Sequence, residues 1–331
     1  MVNSKPVETK TNSPREASSA SRNYPHIERV LICGAGAVGS TFADRLQSLD
    51  PECVTIIAAG ERRDRLAREG LTVNGRRFAV RCLEPGEYAS AADLLLVGVK
   101  QHHLEAAIAD VRPFVGERTI LISLLNGIAS EELLSRAFGG EKVLPAFMVA
   151  NDVVREGTNT TYTSMGRLVF GAAANDPADP RVLAVKDLLD RAGIAYEVPP
   201  DILHAQWWKF MINVGVNQVS AVLRVPYRAF TEIPEVRSLT GQAAMEVVAL
   251  SQREGIHLVP GDIDRMFTTL AGLAPEGKTS MLQDVEAGRK TEVEIFAGTV
   301  VELGRRHGVP TPVNSVLGTL IAARERLAGV R

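Results

Sequence analysis

The chain is poor in the residues that build covalent or metal frameworks. Its three cysteines, Cys33, Cys53 and Cys82, are odd in number, far apart and without a C-x-x-C pair. That spacing argues against a disulfide framework or a zinc site, and core thiols in a reducing cytoplasm are the simpler account. The six histidines are scattered apart from His102-His103, with no H-E-x-x-H or comparable spacing, so no metal is expected. No apolar run approaches the roughly 18 residues of a membrane span, which leaves no membrane partner. Basic runs are only a few residues long, and 37 basic against 39 acidic side chains give a net charge of −2. A nucleic-acid partner has no electrostatic support from such a balance. Residues 1–27 lack the apolar centre of a secretory signal, and their Ser, Pro and Asn content reads as a disordered tail. The expected location is cytoplasmic.

At 331 residues the chain is long enough for two domains. From Arg29 onward the pattern is strand, glycine turn, helix, repeated. "RVLICGAGAVGSTFADRLQSL" opens on an apolar strand and passes into a helix patterned by Phe42, Ala43, Leu46 and Leu49. "CVTIIAA" is a second strand, and Asn74-Gly75 inside "LTVNGRRFAVRCL" signals a hairpin. "DLLLVGVK" and "RTILISLLNG" are continuous apolar runs, the pattern of parallel strands covered on both faces. "KVLPAFMVA" and "GRLVFGAA" add strands, and "PRVLAVKDLLDRAG" a helix closed by Gly193. Pro199-Pro200 then marks a break, and beyond it, from about His204 to Ala328, helical patterns dominate. The fold class is α/β: a Rossmann-type dinucleotide-binding domain over residues 28–198, followed by an all-helical domain over 199–331.

Gly34-Ala35-Gly36-Ala37-Val38-Gly39 is a G-x-G-x-x-G motif between a strand and a helix, the context that gives it meaning. Gly34 makes the tight turn, Gly36 admits a pyrophosphate to the backbone, and Gly39 allows close helix–strand packing. The free N–H groups of the following helix, at Ala37 and Val38, attract phosphate. The second strand bears on the choice between NAD and NADP. An acid at its end would bond the ribose 2′-hydroxyl and repel a 2′-phosphate. Here Ala58 and Ala59 fill that place, and Arg62 and Arg63 follow Glu61. Either arginine can clamp a 2′-phosphate, which favours NADP; the alternative is a solvated helix face of mixed charge.

"WWKFMINVGVNQ", residues 207–218, carries Lys209, Asn213 and Asn217 at four-residue spacing in apolar company. A regular helix turns about 100° per residue, so the three share one face within an arc of roughly 80°. Two readings fit: a buried helix with polar packing partners, or one wall of a polar pocket.

Several motifs, in order, resemble the ketopantoate reductase family: "GAGAVGS", "VGVKQHHLEAA", "LLNGIASEELL", "KFMINVGVNQVSA" and "TSMLQDVEAGRKTEVEIFAGTVVELGRRHGVPTPVN". The resemblance runs from about residue 28 to the end. It implies NADPH as cofactor, a small 2-keto acid as substrate, and reduction of 2-dehydropantoate to pantoate. It implies that Lys209 is the catalytic lysine and that Glu292 is the active-site glutamate. Asn213 and Asn217 become the pocket asparagines, Asn126 the asparagine beside nicotinamide and substrate, Ser280 a contact to the substrate carboxylate, and Lys100 a lysine near the cofactor. Many members carry arginine where this chain has Ala59, which moves the 2′-phosphate contact to Arg62. The usual glutamine before the Asn-Gly pair is Leu125 here.

The chemistry suits these residues. A ketone accepting hydride needs its oxygen stabilised and protonated, and a lysine ammonium does both. Burial lowers such a lysine's pKa, a nearby carboxylate at Glu292 raises it, and the sequence leaves the balance open. In a regular helix Glu292 would share a face with Ile295, Phe296 and Thr299, with Glu294 turned to solvent. Asn213 can instead make a structural bond, and Ser280 can cap the helix that begins near Met281. Reduction of another branched 2-keto acid, a β-hydroxyacid dehydrogenase and a non-catalytic NADPH sensor are the alternatives. Oligomeric state is open between monomer and homodimer.

Overall fold

The computed structural model describes residues 26–87 and 90–330. The tail expected over 1–27 therefore lies outside the described residues, except at its end. There the boundary needs correction, because Ile27 is 1% exposed within the first core. Its carbonyl accepts Arg191 Nη2 at 3.1 Å, so it belongs to the first domain.

The first domain begins with β1 (Val30–Cys33), α1 (Ala37–Leu49), β2 (Val54–Ile57) and α2 (Gly60–Glu69). The hairpin β3 (Leu71–Val73) and β4 (Arg76–Phe78) follows, then β5 (Arg81–Leu83), β6 (Leu94–Val97), α3 (Leu104–Val111), β7 (Ile120–Ser123) and α4 (Ala129–Phe138). β8 (Ala146–Val149), β9 (Val154–Glu156), β10 (Asn159–Thr161), β11 (Arg167–Phe170), α5 (Pro180–Ala192) and β12 (Tyr196–Glu197) complete it. The main sheet is parallel throughout, in the order β5-β2-β1-β6-β7. Its side chains alternate between two cores. Val30, Ile32, Leu94 and Leu96 pack with Phe42 and Leu46 of α1 and Leu188 of α5. Leu31, Leu95 and Val97 pack with Leu104 and Val111 of α3 and Leu134 of α4. Each aliphatic side chain so buried contributes about 1.5–3 kcal/mol, which is why these strands are apolar on both faces. A second sheet, β4-β3-β10-β9, and a third, β12-β11-β8, flank the first. The Asn74-Gly75 turn joins β3 to β4 with both residues at positive φ, 46° and 80°. β9, β10 and β12 give no readable signal in the sequence, since they are two or three residues long and largely polar.

The chain order turns back at β1, which has β2 on one side and β6 on the other. In an open parallel sheet such a reversal leaves a crevice beyond the strand ends, where ligands bind.

After Pro199-Pro200 the chain is helical: α6 (Ile202–Ile212), α7 (Gln218–Leu223), α8 (Ala229–Glu232), α9 (Pro234–Arg253), α10 (Pro260–Ala271), α11 (Ser280–Glu286), α12 (Thr299–His307) and α13 (Pro312–Leu327). No described helix is long and apolar enough to cross a membrane. Two segments depart from the regular helix expected there. Asn213–Asn217 and Glu294–Gly298 are π-helical turns, in which each N–H reaches one residue further back. Gly215 lets the first of them lie against α9: a Cβ there would come within 3.2 Å of the Thr240 carbonyl. Phe210, Phe230 and Phe296, all fully buried, anchor this half around α9.

The halves meet through apolar contact of Ile202 with Phe147 and Val169, and through a buried polar joint. Gln206 Nε2 of α6 donates to Glu131 Oε1 of α4 at 2.6 Å, and Ser130 Oγ donates to the other carboxyl oxygen at 2.9 Å. Burial pushes the Glu131 carboxyl up to about 7 from an ordinary 4.5, against the smaller lowering effect of these hydrogen bonds. Between those two values the folded protein keeps a proton that the unfolded chain has released. The stabilisation is thus complete below about pH 4.5 and is lost as pH rises through 7. The total is of order 3 kcal/mol. Glu131→Gln, which mimics the protonated acid, should melt like the wild type at pH 5 and above it at pH 8. Equal melting temperatures at both pH values in scanning calorimetry would contradict this.

Candidate active site

Between β1 and α1 the glycines are needed for space. A Cβ on Gly34, whose φ is +102°, would lie 2.5 Å from the Gly98 carbonyl carbon after β6, and one on Gly39 would lie 2.2 Å from the Gly34 carbonyl oxygen. This interlock brings the ends of β1 and β6 together at the reversal point of the sheet. Gly36 caps α1 without any side-chain hydrogen bond, and Gly36, Ala37 and Val38 keep part of their surface open. The first N–H groups of a thirteen-residue helix therefore face the crevice with no partner from the capping residue, which fits a dinucleotide pyrophosphate. At the end of β2, Ala58 is buried and Ala59 exposed, so neither a base nor an acid stands there. Of the two arginines that follow, Arg63 is engaged by Glu84 at 3.1 Å. Arg62 stands in the first turn of α2 and has no acidic group within ion-pair distance among the described residues.

Across the crevice, Glu292 gathers three of the expected residues. Its Oε2 accepts the amide of Asn126, 166 residues earlier in the chain, at 2.8 Å. Its Oε1 lies 3.9 Å from Lys100 Nζ, and its charge acts on Lys209. Asn126 and Lys100 come from loops at the ends of β7 and β6, Lys209 from the last turn of α6. Glu292 itself stands just before the helical turn that starts at Val293, not within a helix as the periodicity suggested. Its partly open carboxylate results from that position, while Ile295 and Phe296 are buried one turn on. Glu294 faces outward and pairs with Lys290 at 3.2 Å.

Lys209 is half-buried. Two influences oppose each other there: burial, the larger, lowers its pKa from the ordinary 10.5, and Glu292 pulls it back up. The balance left open by the sequence thus falls on the lowered side.

A second group continues from Lys209 along the π turn. Asn217 Nδ2 donates to Asn213 Oδ1 at 3.1 Å, and Ser280 Oγ donates to Asn217 Oδ1 at 3.5 Å. Both asparagines are buried, so the two readings of this stripe are joined: polar packing supports one exposed hydroxyl at Ser280. Capping of α11 falls to Thr279, whose side chain accepts the Leu282 N–H at 3.1 Å, which leaves the Ser280 hydroxyl free of that task. Three residues near the site were not singled out by the sequence, although Glu131 lies within "LLNGIASEELL". Glu131 and Gln206 form the joint one turn before Lys209, and Arg155 of β9 reaches the glycine turn from 119 residues away. Only their contacts distinguish them.

Family comparison agrees with the fold. The model for "Ketopantoate reductase PanE/ApbA" matches residues 30–175, and that for "Ketopantoate reductase PanE/ApbA C terminal" matches residues 201–325. A curated relative, the 2-dehydropantoate 2-reductase of Pyrococcus horikoshii, is 25% identical over 303 residues, 91% of this chain and 99% of its own. The solved 2-dehydropantoate 2-reductase of Geobacter metallireducens superposes with a TM-score of 0.77 at 26% identity, over 89% of this chain and 99% of its own. A D-mandelate dehydrogenase in ternary complex with NADH and anilino(oxo)acetate shares the fold, with a TM-score of 0.79 at 22% identity over 92% and 100%.

The opposed influences on Lys209 have a measurable consequence. Glu292→Gln removes the one that raises its pKa, so the Lys209 titration midpoint should move lower still. The carbon shift of a selectively labelled Lys209 side chain reports this directly, and a midpoint that rises or stays fixed contradicts it.

Proposed function

Because the chain belongs to the ketopantoate reductase family, a family of oxidoreductases, we propose that it reduces 2-dehydropantoate to pantoate with NADPH, a step toward pantothenate and coenzyme A. The observation that carries this reading is the half-buried ammonium of Lys209, held in the same cluster as Glu292 and Asn126 beside the dinucleotide crevice. The dinucleotide supplies the hydride. On this reading Gly34, Gly36, Ala37, Val38, Gly39 and Arg62 hold its phosphates, while Lys100 and Asn126 stand near its nicotinamide end. As negative charge builds on the ketone oxygen, Lys209 stabilises it and then gives it a proton. The lowered pKa makes Lys209 a readier acid at neutral pH than an ordinary lysine. Glu292 keeps the ammonium charged enough to act and orients the Asn126 amide. Ser280 turns its hydroxyl from Asn217 Oδ1, a long contact of 3.5 Å, to the substrate carboxylate, with Asn217 and Asn213 behind it.

One observation favours a second reading, reduction of another branched 2-keto acid with NADH: Ala59 leaves the end of β2 without a basic side chain. The β-hydroxyacid dehydrogenase reading loses support, since residues 167–170 form strand β11 where a glycine-rich substrate loop would lie.

Oxidation of NADPH with ketopantoate, beside other branched 2-keto acids and beside NADH, tests the proposal. Ketopantoate with NADPH should give the highest kcat/KM. Tight NADPH binding with no turnover on any keto acid would point instead to a sensor. Lys209→Ala should lower kcat by about 10²–10⁴, the usual contribution of a positioned proton donor. A variant with near-normal turnover removes Lys209 from the chemistry.

A further inference from the structure

We propose that Arg155 selects the cofactor: its guanidinium, carried by the β9–β10 hairpin onto the glycine turn, joins Arg62 in gripping the 2′-phosphate of NADPH. The inference deepens the NADPH reading and rests on it.

The side chain is held in place. Arg155 Nη1 donates to the carbonyl of Ala35 and, at 3.3 Å, to that of Gly36, while its Nε donates to the Gly157 carbonyl at 2.9 Å. A guanidinium has five N–H donors, and those on Nη2 have no partner among the described residues. The hairpin beneath it is fixed to the fingerprint helix. β10 runs parallel to β3, and Thr160 Oγ1 lies 2.8 Å from Ser40 Oγ of α1, both fully buried.

The charges around Arg155 are of one sign. Burial first, and then repulsion from Arg62 and Arg65, pull its guanidinium down to about 10, below the ordinary arginine range. Neighbouring arginines have carboxylate partners: Arg63 lies 3.1 Å from Glu84, and Arg68 lies 3.3 Å from Glu69. Among the described residues Arg62, Arg65 and Arg155 have no acidic group within ion-pair distance. Glu61 and Asp64 line the same cavity as Arg62 and Arg65 but pair with none of the three cations, so the arginines still repel one another, and a bound dianion relieves that repulsion while accepting several charge-assisted hydrogen bonds.

Position within the fold chooses the phosphate. The pyrophosphate has the N–H groups at the start of α1. Arg62 follows the end of β2, where a Rossmann domain meets the ribose 2′ position, and Arg155 is held on the Ala35 and Gly36 carbonyls at the end of the neighbouring strand β1. The end of β2 offers only Ala58 and Ala59, so a phosphate there needs its cations from elsewhere.

Calorimetric titration with NADP⁺ and with NAD⁺ tests this without any turnover. Wild type should bind NADP⁺ more tightly. Arg155→Ala should weaken NADP⁺ by about 10-fold or more, the scale of one charged hydrogen bond, and change NAD⁺ by less than about 2-fold. Arg155→Lys should keep most of the preference, because it keeps the charge. Arg155→Gln removes the charge but can still donate to the Ala35 carbonyl, so it repeats the test if the alanine variant folds poorly. Parallel loss of both cofactors would assign Arg155 to the pyrophosphate or to the hairpin's structure, and would overturn the inference. So would an unchanged preference in the variant beside a wild type that prefers NADP⁺, which leaves the NADPH reading standing. A wild type without preference overturns both.

Discussion

A partly open carboxylate between two domains is the constraint around which the site is arranged. Glu292 has no place in a regular helix and no full burial, and it meets an amide from one domain and ammonium groups from both. A carboxylate deep in the core would cost several kcal/mol to keep charged, and one in open water would influence its neighbours little. At the edge of the crevice it acts on Lys209. That lysine is pulled in two directions, and its readiness to release a proton follows from the difference. The Rossmann-like domain provides the crevice, and the helical domain provides Lys209.

The domains must be held at a fixed distance for this to work, and the structure does so one turn away. Gln206 and Lys209 lie on the same helix, so the hydrogen bond from Gln206 to Glu131 also fixes the base of the segment that presents the lysine. Beyond Lys209 the helix passes into a π turn, where one additional residue enters the turn and the ladder of hydrogen bonds is locally re-spaced. A second π turn follows Glu292. The two charged residues at the centre of the site thus each precede a distorted stretch of helix, while the regular helices around α9 supply the rigid mass.

Much of the fold was legible because it depends on burial repeated along the chain. Val30–Cys33, Leu94–Val97 and Ile120–Ser123 are apolar on both faces, and only a covered parallel sheet uses such runs. Strands β9, β10 and β12 were invisible because they are short and largely polar, and because β10 and β12 are stabilised by partners distant in sequence. The tail boundary missed Ile27 for a similar reason: a lone apolar residue beside polar ones gives no periodicity, and its burial depends on contacts with the first domain's core.

What the sequence determined by itself is local: the glycine turn, its flanking strand and helix, the change to an all-helical second half, and the polar stripe at Lys209, Asn213 and Asn217. Each is a matter of spacing, and spacing is written in the chain. Tertiary structure decided which charges meet. Glu292 reaches Asn126 across 166 residues and Arg155 reaches Gly36 across 119. The direction of the Lys209 shift, the choice of Thr279 over Ser280 as cap and the upward shift of the Glu131 carboxyl were decided there as well. Electrostatic energies depend on separation and on exclusion of water, and neither exists until the two domains have folded against each other.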